Sequence, residues 1–215
     1  MLEFIEETHT YIYNGVILPS VSSILKQVFP LKYEGVPKNI LENKSNYGTE
    51  LHKFIEIIEK KKPKKPLAYI KRYYKPNIYQ EESLKDYLNL KEQFNIKITD
   101  SEKRIHYEYK YAGTLDLKGY INGKSAIIDI KTTYELDELY VSWQNSLYEL
   151  ADGEVEELYC LWLPKGRLGK LIKLERIDKK LLLSILPCFK RGTMYKGMEI
   201  EKKYTLEELG LWIKE

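Results

Sequence analysis

The segment from Ala112 to Thr133 carries the residues best suited to chemistry: Asp116, Asp129 and Lys131. Asn122-Gly123 in its middle is the signature of a two-residue hairpin turn, because both central positions of a type I′ turn need positive φ. Ile121 then pairs with Lys124, and counting outward sets Asp116 opposite Asp129 and Thr114 opposite Lys131. Residues directly opposed on an antiparallel pair have Cβ atoms roughly 4.5–5.5 Å apart, and residues two apart share a face. Two carboxylates and an ammonium group are therefore expected on one face of one hairpin.

Opposed like charges are destabilising, and the surrounding Ile127, Ile128 and Ile130 predict an apolar setting that makes charge costlier still. Such a pair calls for a divalent cation or for one protonated carboxyl. Hard oxygen ligands suit magnesium or manganese. Lys131 can orient or deprotonate a water, or offset charge on a phosphate. The bland alternative is a solvated hairpin face on which Lys131 screens two surface aspartates, and the isoleucines argue against it. A third carboxylate comes from the preceding strand. It is Glu102 if the turn spans residues 108–110, the preferred register, and Glu108 with a different turn.

Several elements must hold that hairpin in place. Asn14-Gly15 marks an earlier hairpin within residues 9–18, and Ser20 caps a short helix with Val21, Ile24 and Leu25 on one face. Tyr47, Leu51, Phe54, Ile55 and Ile58 make the stripe of an amphipathic helix over about residues 46–60. The lysine- and proline-rich run from Lys60 to Pro66 ends it as a solvated linker, with phosphate contact as the sharper reading. A helix is expected over about 82–94, strands dominate 96–132, and a helix follows over about 137–151. In that helix Tyr140, Trp143, Leu147 and Leu150 face the core, while Gln144 and Tyr148, four apart, share the neighbouring face. Strands near 155–163 and 169–176 and helices near 178–190 and 206–213 complete the chain, the last with Thr205 and Glu208 in capping-box spacing. Helices flanking a run of hairpins predict an α/β fold with a central mixed β-sheet.

Taken together, Glu102, Gly113-Thr-Leu-Asp116, Asp129-Ile-Lys131-Thr132, Gln144 and Tyr148 resemble the PD-(D/E)XK nucleases, in particular the RecB-like branch with its trailing Gln-x-x-x-Tyr helix. Gly48-Thr-Glu-Leu-His52 is similar to the helical histidine element of that branch, and Pro19 to Leu25 is like the opening of its small phage-encoded exonucleases. The resemblance spans about residues 10–150. One departure is Leu115, where the family's name has proline. The resemblance implies a restriction-endonuclease-like core in about residues 96–176, elaborated by about 1–95 within a single domain. It also implies one or two magnesium ions, replaceable by manganese. Asp116, Asp129 and the backbone carbonyl of Ile130 would be inner ligands, His52 would reach the metal from its helix, and Lys131 would position the attacking water. Gln144 and Tyr148 would border the groove and contact substrate or the lysine. For His52, a satisfied core histidine is the alternative.

The implied activity is magnesium-dependent DNA hydrolysis, as an exonuclease in recombination, repair or replication and encoded by a phage. DNA is the implied partner, accompanied by a single-strand annealing protein or a helicase. A structure-specific endonuclease on the same core is an alternative. So is a non-catalytic DNA-binding module, although that would be expected to have lost Asp116, Asp129 or Lys131. No Gly-x-x-x-x-Gly-Lys-Ser/Thr loop occurs, so ATP-driven unwinding would need another protein.

Composition narrows the remaining classes. The chain has 215 residues with net charge +3, 43% hydrophobic and 31% charged, which suits one folded domain and excludes global disorder. Cys160 and Cys188 cannot supply a four-thiolate cluster. The N-terminus lacks the basic and apolar regions of a signal peptide, and no apolar run reaches the roughly 18 residues that span a bilayer. A cytoplasmic protein without membrane contact is the expectation. Basic residues cluster at 60–75, 163–176 and 190–203, where convergence would make a phosphate-tracking groove. Nineteen Tyr against five Phe is either compositional bias or a wet binding surface.

Overall fold

The computed structural model describes residues 1–29 and 38–186, with side chains in the second helix from Asn46 onward. The expected helix over 206–213 and the basic cluster at 190–203 lie outside these residues. Three short strands, β1 (Leu2–Ile5), β2 (Thr10–Tyr13) and β3 (Val16–Leu18), form an antiparallel sheet whose β2–β3 turn is Asn14-Gly15. β1 carries no alternating pattern strong enough to be read from sequence. Ser20 then caps α1 (Val21–Val28), its hydroxyl accepting from the Ser23 N–H, and Val21, Ile24 and Leu25 are buried as their spacing predicts.

Two helices differ from expectation. α2 runs from Lys38 to Lys61, starting about two turns before its apolar stripe, whose first residue is Tyr47. The lysine-rich run does end α2, but Pro66 opens a further helix, α3 (Pro66–Tyr74). Proline is well placed in a first turn, where its missing N–H would have had no helical partner anyway. α4 (Ile78–Gln93) starts earlier than residue 82 because Asn77 and Gln80 form a capping box ahead of the first buried leucine.

The main sheet contains β4 (Lys97–Tyr107), β5 (Tyr111–Ile121), β6 (Lys124–Lys131), β7 (Glu157–Trp162) and β8 (Lys170–Leu174), in that order. Every pair is antiparallel except β6 with β7, which is parallel and connected through α5 (Glu138–Asp152). α6 (Lys179–Ile185) follows β8. This is the α/β fold with a mixed sheet and flanking helices that the pattern predicts. α1, α5 and α6 cover one face through Ile24, Leu25, Leu147 and Leu182, and α2, α3 and α4 cover the other through Leu51, Ile55, Ile70 and Leu84. Burial on both faces explains why β6 reads as a nearly continuous apolar run.

The β5–β6 hairpin turns at Asn122-Gly123, with φ of 50° and 86°, and pairs Ile121 with Lys124 as expected. Its ladder stops at Leu117 with Ile128. Asp116 and Asp129, and Thr114 and Lys131, are therefore not ladder partners, which corrects the counting from the turn. The cause is visible in the packing. Leu115 and Leu117 should share a face, yet Leu115 packs in the core under α1 and α5 while Leu117 packs in the core under α2 and α4. β5 thus turns over at Asp116 and parts from β6. On the other side of β5, β4 keeps step, pairing Lys103 with Leu115 and Ser101 with Leu117 around a Glu102 whose φ is 51°.

α5 is tied to this region by the buried Tyr111 hydroxyl, which donates to the Leu147 carbonyl at 2.7 Å. Tyr111→Phe keeps the ring and removes that bond. The expected loss, read by denaturant unfolding, is about 0.5–1.5 kcal/mol.

Candidate metal and phosphate site

Where β5 leaves β6, three side chains converge. His52 of α2, Glu102 of β4 and Asp116 of β5 each bring one ligand atom within 4.8 Å of the others. Glu102, rather than Glu108, is the third carboxylate of this group. The turn after β4 does span 108–110, and Glu108 sits in it with a largely exposed side chain paired to Lys110. His52 Nδ1 is 3.6 Å from Asp116 Oδ1, too long for a hydrogen bond and compatible with two atoms sharing a cation. The other Asp116 oxygen, Oδ2, accepts from the Ile130 N–H at 2.7 Å, so the side chain occupies the place a ladder partner would have taken. N–H and C=O of one strand residue point to the same side, so the Ile130 carbonyl opens toward the same gap.

Gly48 explains how α2 comes close enough. A Cβ there would lie 2.8 Å from Thr132 Oγ1, at the end of β6, and His52 stands one helical turn farther along the same face. Gly113 does the same for α5, since a Cβ would lie 2.8 Å from the Tyr148 ring.

Beside the three ligand candidates lies Asp129, 1% exposed. Lys131 Nζ is 2.6 Å from its Oδ2, and beyond that ion pair neither oxygen has a hydrogen-bond partner among the described residues. Lys131 also donates to Gln144 Oε1 at 2.9 Å, and Gln144 Nε2 donates to the Tyr148 hydroxyl at 2.9 Å. Gln144 thus meets the lysine and Tyr148 meets Gln144, as their shared helix face allows. Sequence reasoning missed Tyr11, whose hydroxyl lies 2.9 Å from Thr114 Oγ1, and nothing in the spacing could join positions so far apart.

Burial and charge set the protonation of these groups. Burial, aided by the Asp116 charge, pushes the Glu102 carboxyl up to about 7. Burial also raises Asp129 to about 6, against the opposing pull of Lys131. Asp116 is likewise raised by burial, but His52 and Lys131 outweigh that and hold it below the ordinary carboxylate value. Burial works against a charged His52, yet Asp116 and Asp129 raise it overall. Lys131 loses to burial but gains more from Asp129 and Asp116, ending at about 12. It is an ammonium at neutral pH and a donor, so deprotonating a water is not open to it in this state.

A buried carboxylate oxygen without a hydrogen bond, next to a triad of nitrogen and oxygen ligands, fits a divalent cation. Carboxylates favour magnesium or manganese, and the imidazole tilts the set toward manganese. The basic clusters are used unevenly. Lys60, Lys71, Lys173 and Arg176 are engaged by Glu56, Glu81, Glu157 and Glu149, whereas Lys165 and Arg167 lie near the end of β7, beyond Trp162, the register partner of Lys131.

No family model matches the chain, and no curated protein matches it significantly. A solved structure described as "Crystal structure of SSO0001" overlaps 80% of this chain and 74% of its own at 17% identity, with a TM-score of 0.38. So loose an overlap carries no functional argument. No helix among the described residues is long and apolar enough to cross a membrane.

Two outcomes follow from the geometry. Gly48→Ala should leave thermal stability near the parent's, because a helix gain of about 1 kcal/mol offsets the crowding of Thr132, while the melting shift on adding manganese shrinks as His52 is displaced. Without metal, Glu102 contributes stability below its unfolded value near 4.5 and loses it as pH rises through about 7. Asp129 and His52, also raised, act in the same direction. The parent in chelator should therefore melt lower at pH 8 than at pH 5, and Glu102→Gln should flatten part of that slope.

Proposed function

We propose that this chain is a divalent-metal-dependent deoxyribonuclease that hydrolyses phosphodiester bonds as an exonuclease. The observation that carries the reading is Lys131, held as a cation between Asp129 and Gln144, beside a separate ligand triad of His52, Glu102 and Asp116. A structural salt bridge needs only Lys131 and Asp129. It gives no reason for a second carboxylate pair and an imidazole to be drawn together where the sheet opens. The resemblance to the RecB-like PD-(D/E)XK nucleases supports the same assignment, with Glu102 taking a larger part in the ligand set than the resemblance alone implies.

His52, Glu102 and Asp116 would hold the ion, with Asp129 and the Ile130 carbonyl adjoining. When bound, magnesium or manganese supplies Lewis-acid stabilisation of the charge that develops on the scissile phosphate. The chain's own groups do the rest. The Lys131 ammonium would position the attacking water, whose proton passes to solvent, or donate to a non-bridging phosphate oxygen, favouring the more negative transition state. Asp129 and Gln144 fix its direction, and the Tyr148 hydroxyl fixes Gln144 in turn. Asp129 itself is buried, which strengthens its ion pair with Lys131.

End-labelled linear DNA with magnesium or manganese, against a covalently closed circle, tests the assignment. Linear DNA should be shortened progressively and the circle spared; cutting of the circle would make the enzyme an endonuclease. Lys131→Ala should lower the cleavage rate by at least about a hundredfold, in the range of losing a transition-state donor, with DNA binding nearly intact. Asp116→Asn should be inactive, and manganese should raise its melting temperature much less than the parent's. Comparable turnover in Lys131→Ala and parent would remove the catalytic reading.

A further inference from the structure

The loop between β7 and β8 carries two cations that each lie over a pair of aromatic rings. Lys165 Nζ is 4.8 Å from the Tyr79 ring centre and 5.7 Å from that of Tyr47. Arg167 Cζ is 4.9 Å from the ring centre of Tyr134 and 5.2 Å from that of Trp162. In both pairs one ring is buried and the other exposed: Tyr47 at 8% with Tyr79 at 43%, and Trp162 at 9% with Tyr134 at 63%. The cations themselves are exposed and have no carboxylate partner among the described residues. Lys170, at the start of β8, adds a third cation 5.9 Å from the Trp162 ring centre.

The backbone beneath this loop anchors it to the metal and phosphate site. Arg167 donates to the Tyr134 carbonyl, Trp162 Nε1 donates to the Thr133 carbonyl, and the Leu163 N–H donates to the Lys131 carbonyl at 2.7 Å. Tyr47 precedes Gly48, which touches Thr132, and the Tyr47 hydroxyl donates to the Tyr79 carbonyl. Of the exposed rings, Tyr134 thus stands three residues from Lys131 along the chain, and Tyr79 of α4 is joined to α2 through Tyr47, five residues before His52.

We infer that Tyr79, Tyr134, Lys165 and Arg167 form a shelf that holds an unpaired nucleic-acid strand entering or leaving the catalytic site. Exposed aromatic rings offer faces on which unpaired bases stack, whatever their identity, and the interleaved cations match the phosphates between them. A duplex presents its phosphates but not its base faces, so it could use the cations and not the rings. The inference rests on the proposed nuclease reading for its direction toward Lys131, but strand binding is measurable without cleavage.

The test uses the full chain in chelator with a short labelled oligothymidylate, an oligouridylate and a blunt duplex, followed by fluorescence anisotropy. Tyr79→Ala and Tyr134→Ala should each weaken binding of the unpaired strand by at least about fivefold, the lower end of what one stacked base contributes. Binding of the duplex should be nearly unchanged. Tyr79→Phe and Tyr134→Phe should retain affinity, because the ring rather than the hydroxyl makes the contact. Lys165→Ala and Arg167→Ala should each reduce the salt dependence of single-strand binding by about 0.7 in the logarithmic slope. Loss on either oligonucleotide supports the shelf, and the larger loss tells whether its occupant is DNA or RNA. Equal losses on single strand and duplex, unchanged affinity in both alanine variants, or a parent that does not bind the unpaired strand would overturn it. Absence of cleavage with metal, alongside these losses, would instead remove the nuclease reading and leave the shelf standing.

Discussion

The site depends on the point where β5 stops pairing with β6. Up to Leu117 and Ile128 the two strands share an ordinary antiparallel ladder; one residue farther, β5 has turned over and β6 continues beside β7. A gap between strands leaves backbone groups without a ladder partner, and burial makes that costly unless something answers them. Asp116 answers the Ile130 N–H with its side chain. Its carboxylate is thereby drawn into the sheet, where it meets Glu102 from β4 and His52 from α2. The same parting leaves Asp129 buried on the face of Lys131. A closed ladder would have no room for this arrangement.

The helices are placed to serve that gap. α2 approaches because Gly48 has no side chain to hold it away from Thr132, and α5 brings Tyr148 up against Gly113. Each helix is otherwise an ordinary amphipathic element packed on its own face of the sheet. The polar residues that reach the gap sit at the margin of the apolar stripe: His52 beside Leu51 and Ile55, Gln144 beside Trp143 and Leu147. The hydrophobic cores on the two faces thus fix the helices, and the polar residues between them are carried into position at little extra cost in conformational entropy.

The electrostatics crowd carboxylates and cations into one small volume. Burial and repulsion from Asp116 raise Glu102 and Asp129, while His52 and Lys131 are both held above their ordinary values. In the metal-free chain the protons are thus distributed so as to offset crowded carboxylates. A divalent cation would take over that task and release them. The buried aspartate oxygens lacking hydrogen bonds point the same way. Glu102 also occupies the left-handed region, where a non-glycine residue is costly.

Much of this was legible in the residues themselves. The two Asn-Gly turns, the Ser20 cap, the stripes of α2 and α5 and the alternation from mixed strands to helices are local patterns, governed by contacts between near neighbours in the chain. They determined the α/β class and the hairpin turn and favoured Glu102 while leaving Glu108 open, because the register of a hairpin propagates from its turn. Propagation fails where a strand changes partners. Asp116 and Asp129 were therefore expected face to face, whereas the fold sets one against the Ile130 backbone and the other against Lys131. The helix beginning at Pro66, the reach of Tyr11 to Thr114 and the gathering of Tyr79, Tyr134, Lys165 and Arg167 were likewise decided by tertiary structure. Each joins segments whose separation leaves no periodic or spacing signal. Local chemistry selects the turn, the cap and the stripe, but only packing the two helical layers on one sheet determines which distant side chains share a gap.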